Sequence, residues 1–243
     1  MNAEFQVIGV VRSEVRERKQ MPSLGAPGAI EVFPLYADGL FRFEKHSHIW
    51  VLAWLDRAER DVLQVTPRGV MDRSPAGLHG VFAVRSPARP NPIGLTACRV
   101  LERRGLTIRV DRMDFLDGTP VIDIKPYFVT RDAIFSANNV QIGKPASREA
   151  LRESLRLQAL HFHGEECAEL ERAVDAILSF RADVLDLSEP AEWDVTAPLS
   201  RPCVIDAVMG MTRATPGRGT LKFHAEASIL IRYEGALHRY DLT

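Results

Sequence analysis

The ten residues Arg85-Ser86-Pro87-Ala88-Arg89-Pro90-Asn91-Pro92-Ile93-Gly94 concentrate unusual chemistry. Three prolines in six positions fix φ and remove three N–H donors, and each residue before a proline is pushed out of the helical region. The product is a stiff, extended loop whose carbonyls and side chains are left to face a ligand. Arg85 and Arg89 are permanent planar cations suited to carboxylate or phosphate. Asn91 both donates and accepts, as an adenine edge requires. As a purely structural alternative, the same residues make a rigid crossover between strands with its arginines in solvent. A second group is His161-Phe162-His163-Gly164-Glu165-Glu166-Cys167, with Cys203 further on. Imidazole and thiolate are metal ligands, so His161, His163, Cys167 and Cys203 are candidates if the fold brings Cys203 close. Neutral His and Cys in a small core account for the same residues.

Short strands must position the first group. Residues 5–11, 49–55, 80–84, 93–101, 106–110 and 121–125 are apolar or β-branched runs separated by Gly, Pro, Asn and Asp, the pattern of strands joined by turns. Strands without alternating long helices predict a barrel or curled sheet. No Gly-x-Gly-x-x-Gly follows the first strand, which argues against a Rossmann-type cofactor site. Gly143-Lys144-Pro145 reads as a break. Beyond it Ser147 caps a helix with Leu151 and Leu155 on its apolar stripe, and a second helix is expected over 165–180. A proline-bearing connector over 188–202, a short helix over 203–211 and a terminal hairpin turning at Glu234-Gly235 complete the expectation. The fold class is therefore mainly β: a single-sheet β-barrel domain over 1–144 and a smaller α+β domain over 145–243.

The whole chain has a net charge of −1, but residues 1–144 carry 20 basic and 16 acidic side chains against 11 and 16 in the rest. A basic half suits a polyanion partner. Three scattered cysteines do not make a disulfide framework. No apolar run reaches the ~18 residues of a membrane span, and the first residues lack a signal-peptide pattern, so a cytoplasmic protein is expected.

The proline-rich decapeptide resembles the signature of the TsaA/TrmO-like (YaeB-like) family of S-adenosylmethionine-dependent tRNA methyltransferases. Further blocks follow in the family's order: Ile8 to Ser13, Ile30-Glu31-Val32 with Tyr36 to Leu40, Ser47-His48-Ile49-Trp50-Val51, Gly80 to Ala83, and Asp117 to Tyr127. The resemblance covers residues 4–135, with His46 where the family usually has an aromatic residue. It implies a barrel that binds S-adenosylmethionine, a homodimer, and methylation of N6 of threonylcarbamoyladenosine beside the tRNA anticodon. Carried over, the cofactor site comprises Arg85, Ser86, Arg89, Asn91, Ile93 and Gly94 from one block. Leu116, Asp117, Gly118, Thr119 and Pro120 come from the other. Arg85 or Arg89 can meet the cofactor carboxylate, and Asp117 its ammonium or sulfonium. Asp-Gly is equally a plain turn signal. In-line methyl transfer rests on positioning, and Asp117, Asp123, His48 and Tyr127 are the candidates for a general base. Arg12, Arg16, Arg18 and Lys19 can track an RNA backbone, and Met21-Pro22 can cover the cofactor.

Residues 145–243 loosely resemble domains of the formylmethanofuran dehydrogenase E type, through His163-Gly164, Cys167, Cys203 to Ala207 and Thr215 to Leu221. Glu165 stands where that pattern has a second histidine, Ala168-Glu169 replace Pro-Gly, and Ala214 stands where a cysteine is frequent. These departures favour a structural or partner-binding role, and no metal is assigned from the sequence.

Overall fold

The structure, a computed structural model, describes residues 4–137 and 139–242. It resolves into two compact units. One holds the chain to Pro67 and Asp72–Ile134; the other holds Arg68–Met71 and Phe135–Thr243. The division falls ten residues before the expected 144/145 boundary. Within the second unit the Lys144 N–H donates to the Gly69 carbonyl at 3.0 Å, so the Gly-Lys-Pro stretch is a fastened segment of that unit and not a free linker.

In the first unit, β1 (Gly9–Ser13), β2 (Ala26–Val32), β3 (His48–Trp54), β6 (Ile93–Arg104), β7 (Thr107–Met113) and β8 (Pro120–Pro126) close into a barrel. Their order is β1-β2-β7-β6-β3-β8, and every neighbour is antiparallel. A separate two-stranded ribbon pairs β4 (Gln64–Val65) with β5 (His79–Gly80). A single turn, α1 (Val129–Asp132), follows β8. The expected strand over 80–84 is thus confined to its first residue. Ala83 N–H bonds back to the Gly80 carbonyl at 2.9 Å, turning the chain toward the proline-rich loop. The first strand begins later than its apolar residues suggest, at Gly9, where pairing with β8 starts.

β3 shows how the barrel reads an apolar run. Ile49, Val51 and Ala53 are fully buried in the barrel core with Val11, Ile30, Ile108 and Val121. Trp50, Leu52 and Trp54 point outward and are half-buried. Side chains alternate across a strand, so one face of this run fills the interior while the other coats the barrel.

The second unit packs three helices, α2 (Arg148–His163), α3 (Ala168–Asp183) and α4 (Pro202–Thr212), with a four-stranded sheet. The sheet joins β9 (Val195–Pro198), β10 (Leu221–His224), β11 (Ser228–Tyr233) and β12 (Ala236–Asp241) in the order β10-β9-β11-β12. Leu151, Leu155, Leu170, Ile177, Phe180, Val204, Val208 and Ile229 form its core. Ser147 Oγ accepts from Ala150 N–H at 3.2 Å, the expected cap of α2. β9 lies inside the expected connector. Only four residues long and ending in Pro198, it still pairs with both β10 and β11, because a proline at the end of a strand removes little of the ladder.

Candidate functional site

Register places the two sequence-predicted blocks at one end of the barrel. β3 pairs with β6 so that Trp54 faces Ile93, and with β8 so that Ala53 faces Val121. The loop that enters β6 and the loop that enters β8 therefore both emerge beside Trp54. β1 and the segment after it hold the second of these loops: Asp117 N–H donates to the Val15 carbonyl at 2.8 Å, and Gly118 N–H to the Val11 carbonyl at 2.9 Å.

Arg89 is the anchor of the proline-rich loop. Its Nε donates to the Ser86 carbonyl at 2.7 Å, and its Nη2 to the carbonyls of Val81 and Val84 at 2.9 and 2.6 Å. Loop carbonyls lack ladder partners and must be satisfied elsewhere. Of the five guanidinium N–H groups, three are thus committed to backbone and the two on Nη1 are left over. Arg89 thus shapes the loop, and of its guanidinium only Nη1 is left for the carboxylate that the sequence offers to Arg85 or Arg89. Arg85 donates to the Leu95 carbonyl and stands close enough to Asp114 to pull its carboxyl down. Desolvation acts on Asp114 more strongly and raises its pKa above the usual carboxylate value, although the residue keeps an exposed edge. Ser86 is half-buried, and Asn91 and Ile93 are exposed. Asn91 turns its carbonyl to Ile93 N–H at 2.7 Å.

Gly94 joins the two blocks. A Cβ there would meet Phe115 Cε1 at 2.4 Å and Leu55 Cδ2 at 3.1 Å, and Phe115 is only 2% exposed. Only a glycine lets β6 pass this close to the Phe115 ring. In the second block Asp117 Oδ1 accepts from Ser13 N–H at 3.1 Å, which leaves Oδ2 for a ligand. Leu116 is half-buried. Gly118 adopts φ +82°, the left-handed region that favours glycine. Beyond its chain neighbours, nothing among the described residues lies within 4 Å of where its Cβ would stand. Thr119 is buried and donates its N–H to the Leu116 carbonyl at 3.1 Å, and Pro120 begins β8. Arg16, Arg18 and Lys19 are exposed on the segment tied to this loop, whereas Arg12 pairs with Glu31 at 2.6 Å. Met21 is buried nearby.

His48 and Tyr127 are not part of this group within one chain. His48 faces Arg99 at the other end of β3, six residues from Trp54, a span of ~20 Å at strand rise. Tyr127 N–H bonds to the His48 carbonyl at 3.0 Å, which keeps the two together at that far end. Burial, with Arg99 acting in the same sense, lowers the His48 pKa, while Asp111 opposes. Asp123, the fourth base candidate, pairs with Lys125 at 2.5 Å. Of the proposed bases only Asp117 stands among the residues expected to hold the cofactor. Asp114 and Phe115 were missed by sequence reasoning. The acidic spacing Asp114-x-x-Asp117 was the available signal; the Phe115–Gly94 contact had none.

In the second unit the structure brings His163, Cys167 and Cys203 together, their donor atoms all within 4.8 Å of one another. His161 is exposed and does not join them. Cys98 belongs to the barrel core, and burial pushes its thiol up to about 12, so it is an inert core residue.

Residues 10–133 match the family model described as the tRNA-methyltransferase O N-terminal domain. The chain is 36% identical over 241 residues to a "Probable S-adenosyl-L-methionine-binding protein" of Archaeoglobus fulgidus, spanning 91% of this chain and 61% of that protein. It is 44% identical over 138 residues to a protein of the same description from Methanothermobacter thermautotrophicus, spanning 55% of this chain and 96% of that one. It is also 32% identical over 146 residues to the "tRNA (adenine(37)-N6)-methyltransferase" of Escherichia coli strain K12, spanning 56% of this chain and 62% of that enzyme. The chain thus covers about three fifths of the length of the Archaeoglobus and Escherichia proteins. With two signature loops meeting at one barrel end and the family model spanning that barrel, the chain belongs to the tRNA-methyltransferase O N-terminal domain family.

Proposed function

We propose that this protein is an S-adenosylmethionine-dependent methyltransferase that methylates N6 of a tRNA adenosine, with threonylcarbamoyladenosine beside the anticodon as the acceptor. The observation that carries the reading is the meeting of Arg85–Gly94 and Leu116–Pro120 at one end of the barrel. The residues there fit the cofactor. Arg85 and the Nη1 of Arg89 offer N–H donors to a carboxylate. Exposed Ile93 offers an apolar surface, and Asn91 suits an adenine edge. Gly118 leaves its backbone open to close approach.

Bound there, S-adenosylmethionine supplies an activated methyl on a cationic sulfonium. The chain contributes position, from which a displacement of this kind draws most of its rate gain. Asp117 is the carboxylate placed to receive the proton that the acceptor amine must lose. Arg16, Arg18 and Lys19, exposed on the segment tied to the Asp117 loop, suit RNA phosphates. The outer face of β3 and β6, with Trp50 and Leu52 half-buried and Leu95 and Leu101 exposed, supports a homodimer. Among the described residues no helix is long and apolar enough to cross a membrane, and a cytoplasmic location fits a tRNA substrate.

The test is methyl transfer from labelled S-adenosylmethionine to tRNA lacking this modification, read by nucleoside mass. A gain of one methyl on threonylcarbamoyladenosine is expected, with kcat falling about 100-fold or more in Asp117→Asn if the residue takes the proton. Cofactor binding without any labelled nucleoside would overturn the assignment of the acceptor. It would favour a different acceptor chosen with the acidic second unit, which carries 16 acidic against 11 basic residues over 145–243.

A further inference from the structure

We infer that His163, Cys167 and Cys203 hold one divalent cation of the zinc class, with Asp206 fixing the imidazole and the fourth tetrahedral position open to solvent. The ligands come from the ends of three helices. His163 is the last residue of α2, which stops at Gly164 in the left-handed conformation, φ +93°. Cys167 is the N-cap of α3. Cys203 is the second residue of α4, and Asp206 follows on the same helix.

The spacing suits a metal. Zinc bonds to sulfur are about 2.3 Å and to imidazole nitrogen about 2.0–2.1 Å, so the sulfur–nitrogen edge of a tetrahedral site is about 3.5–3.6 Å. Cys167 Sγ lies 3.5 Å from His163 Nε2. All three donor atoms fall within 4.8 Å of each other, so Cys203 needs at most a small rotation to complete the face. His163 Nδ1 is taken by Asp206 Oδ2 at 3.1 Å, which turns Nε2 toward the thiols. A carboxylate behind a ligating imidazole is the usual support for a bound metal. Two thiols and an imidazole select zinc-class ions over magnesium or calcium. All three residues keep partial exposure, although the His163 side chain is only 9% exposed, and three protein ligands leave the fourth position of a tetrahedral ion to water. Such a site lies outside the barrel and takes no part in the methyl-transfer proposal.

A thiol–imidazole hydrogen bond has the same span, and cobalt(II) distinguishes the two. The full chain, stripped with a chelator and kept reduced, is titrated with cobalt(II). One ion per chain is expected, with cobalt–thiolate charge-transfer bands, intense tetrahedral visible bands, and stoichiometric displacement by zinc(II). Cys167→Ser and Cys203→Ser should each weaken the charge-transfer bands, and together abolish them. Asp206→Asn should weaken binding about 10–100-fold, and His161→Gln should leave the titration unchanged. Serine still caps α3, so unchanged far-UV circular dichroism in Cys167→Ser separates ligand loss from unfolding. Absence of thiolate bands, or equal cobalt uptake by the double serine variant, would overturn the site. Added azide should shift the visible bands; bands indifferent to azide would overturn the open fourth position.

Discussion

The rim of the barrel and the helix ends of the second unit use polar side chains in opposite ways. At the rim they hold backbone: Arg89 binds three carbonyls, and Asp117 accepts the Ser13 N–H. At the helix ends the side chains face one another, with His163 Nε2 and Cys167 Sγ 3.5 Å apart. The difference follows from what each backbone already satisfies. A loop between strands has no internal ladder, so its polar groups need side-chain partners. A helix satisfies its own except at the termini, and Gly164 and the Cys167 cap deal with those. A loop site is therefore legible as backbone scaffolding with a few donors left over, and a helix-end site as donors converging on a point.

The largest expected effect tests the scaffolding. Arg89→Ala removes three hydrogen bonds from a cation to carbonyls, each worth about 1.5–3 kcal/mol singly. We expect the barrel unit to lose about 3 kcal/mol or more, together with its cofactor affinity. Arg89→Lys should recover only part of this, because an ammonium lacks the planar fork. Urea unfolding followed by the fluorescence of Trp50 and Trp54, in a Trp193→Phe background, reads the change. A midpoint that does not move would erase the contrast between the two regions.

A smaller effect isolates the cap from the ligand. In the metal-free chain, Cys167→Ala deletes the acceptor of Leu170 N–H and should cost the second unit about 1 kcal/mol, whereas Cys167→Ser should cost nothing or stabilise it. Thermal unfolding of the two variants in chelator checks this, and equal losses would show that the sulfur matters for more than the cap.

The smallest effect concerns Asp114. Its folded pKa is raised by desolvation, so folding disfavours the ionised form. The cost begins as pH rises above the unfolded value of about 3.9 and is complete above the folded one. Asp114→Asn should therefore raise stability slightly at pH 7, with the advantage shrinking below pH 4. Paired melting curves at the two pH values measure it. An advantage that persists at low pH would mean that packing, not ionisation, sets the difference.

The order of short apolar runs and turn residues determined a barrel-like β unit followed by helices, because strand periodicity and breaker residues act locally. The proline-rich loop and Asp117-Gly118 were recognisable for the same reason: their residue types constrain their own backbone, and the structure keeps both together. The Ser147 cap and the turn at Glu234-Gly235 were likewise local. What lay beyond the sequence depends on partners distant along it. Only closure of the barrel put His48 and Tyr127 at the end away from Asp117. β9 was hidden because a four-residue strand ending in Pro198 owes its existence to β10 and β11. Phe115 meeting Gly94, and Cys203 meeting His163 and Cys167, are juxtapositions set by packing, where the energy lies in contacts between segments and no single segment carries the signal.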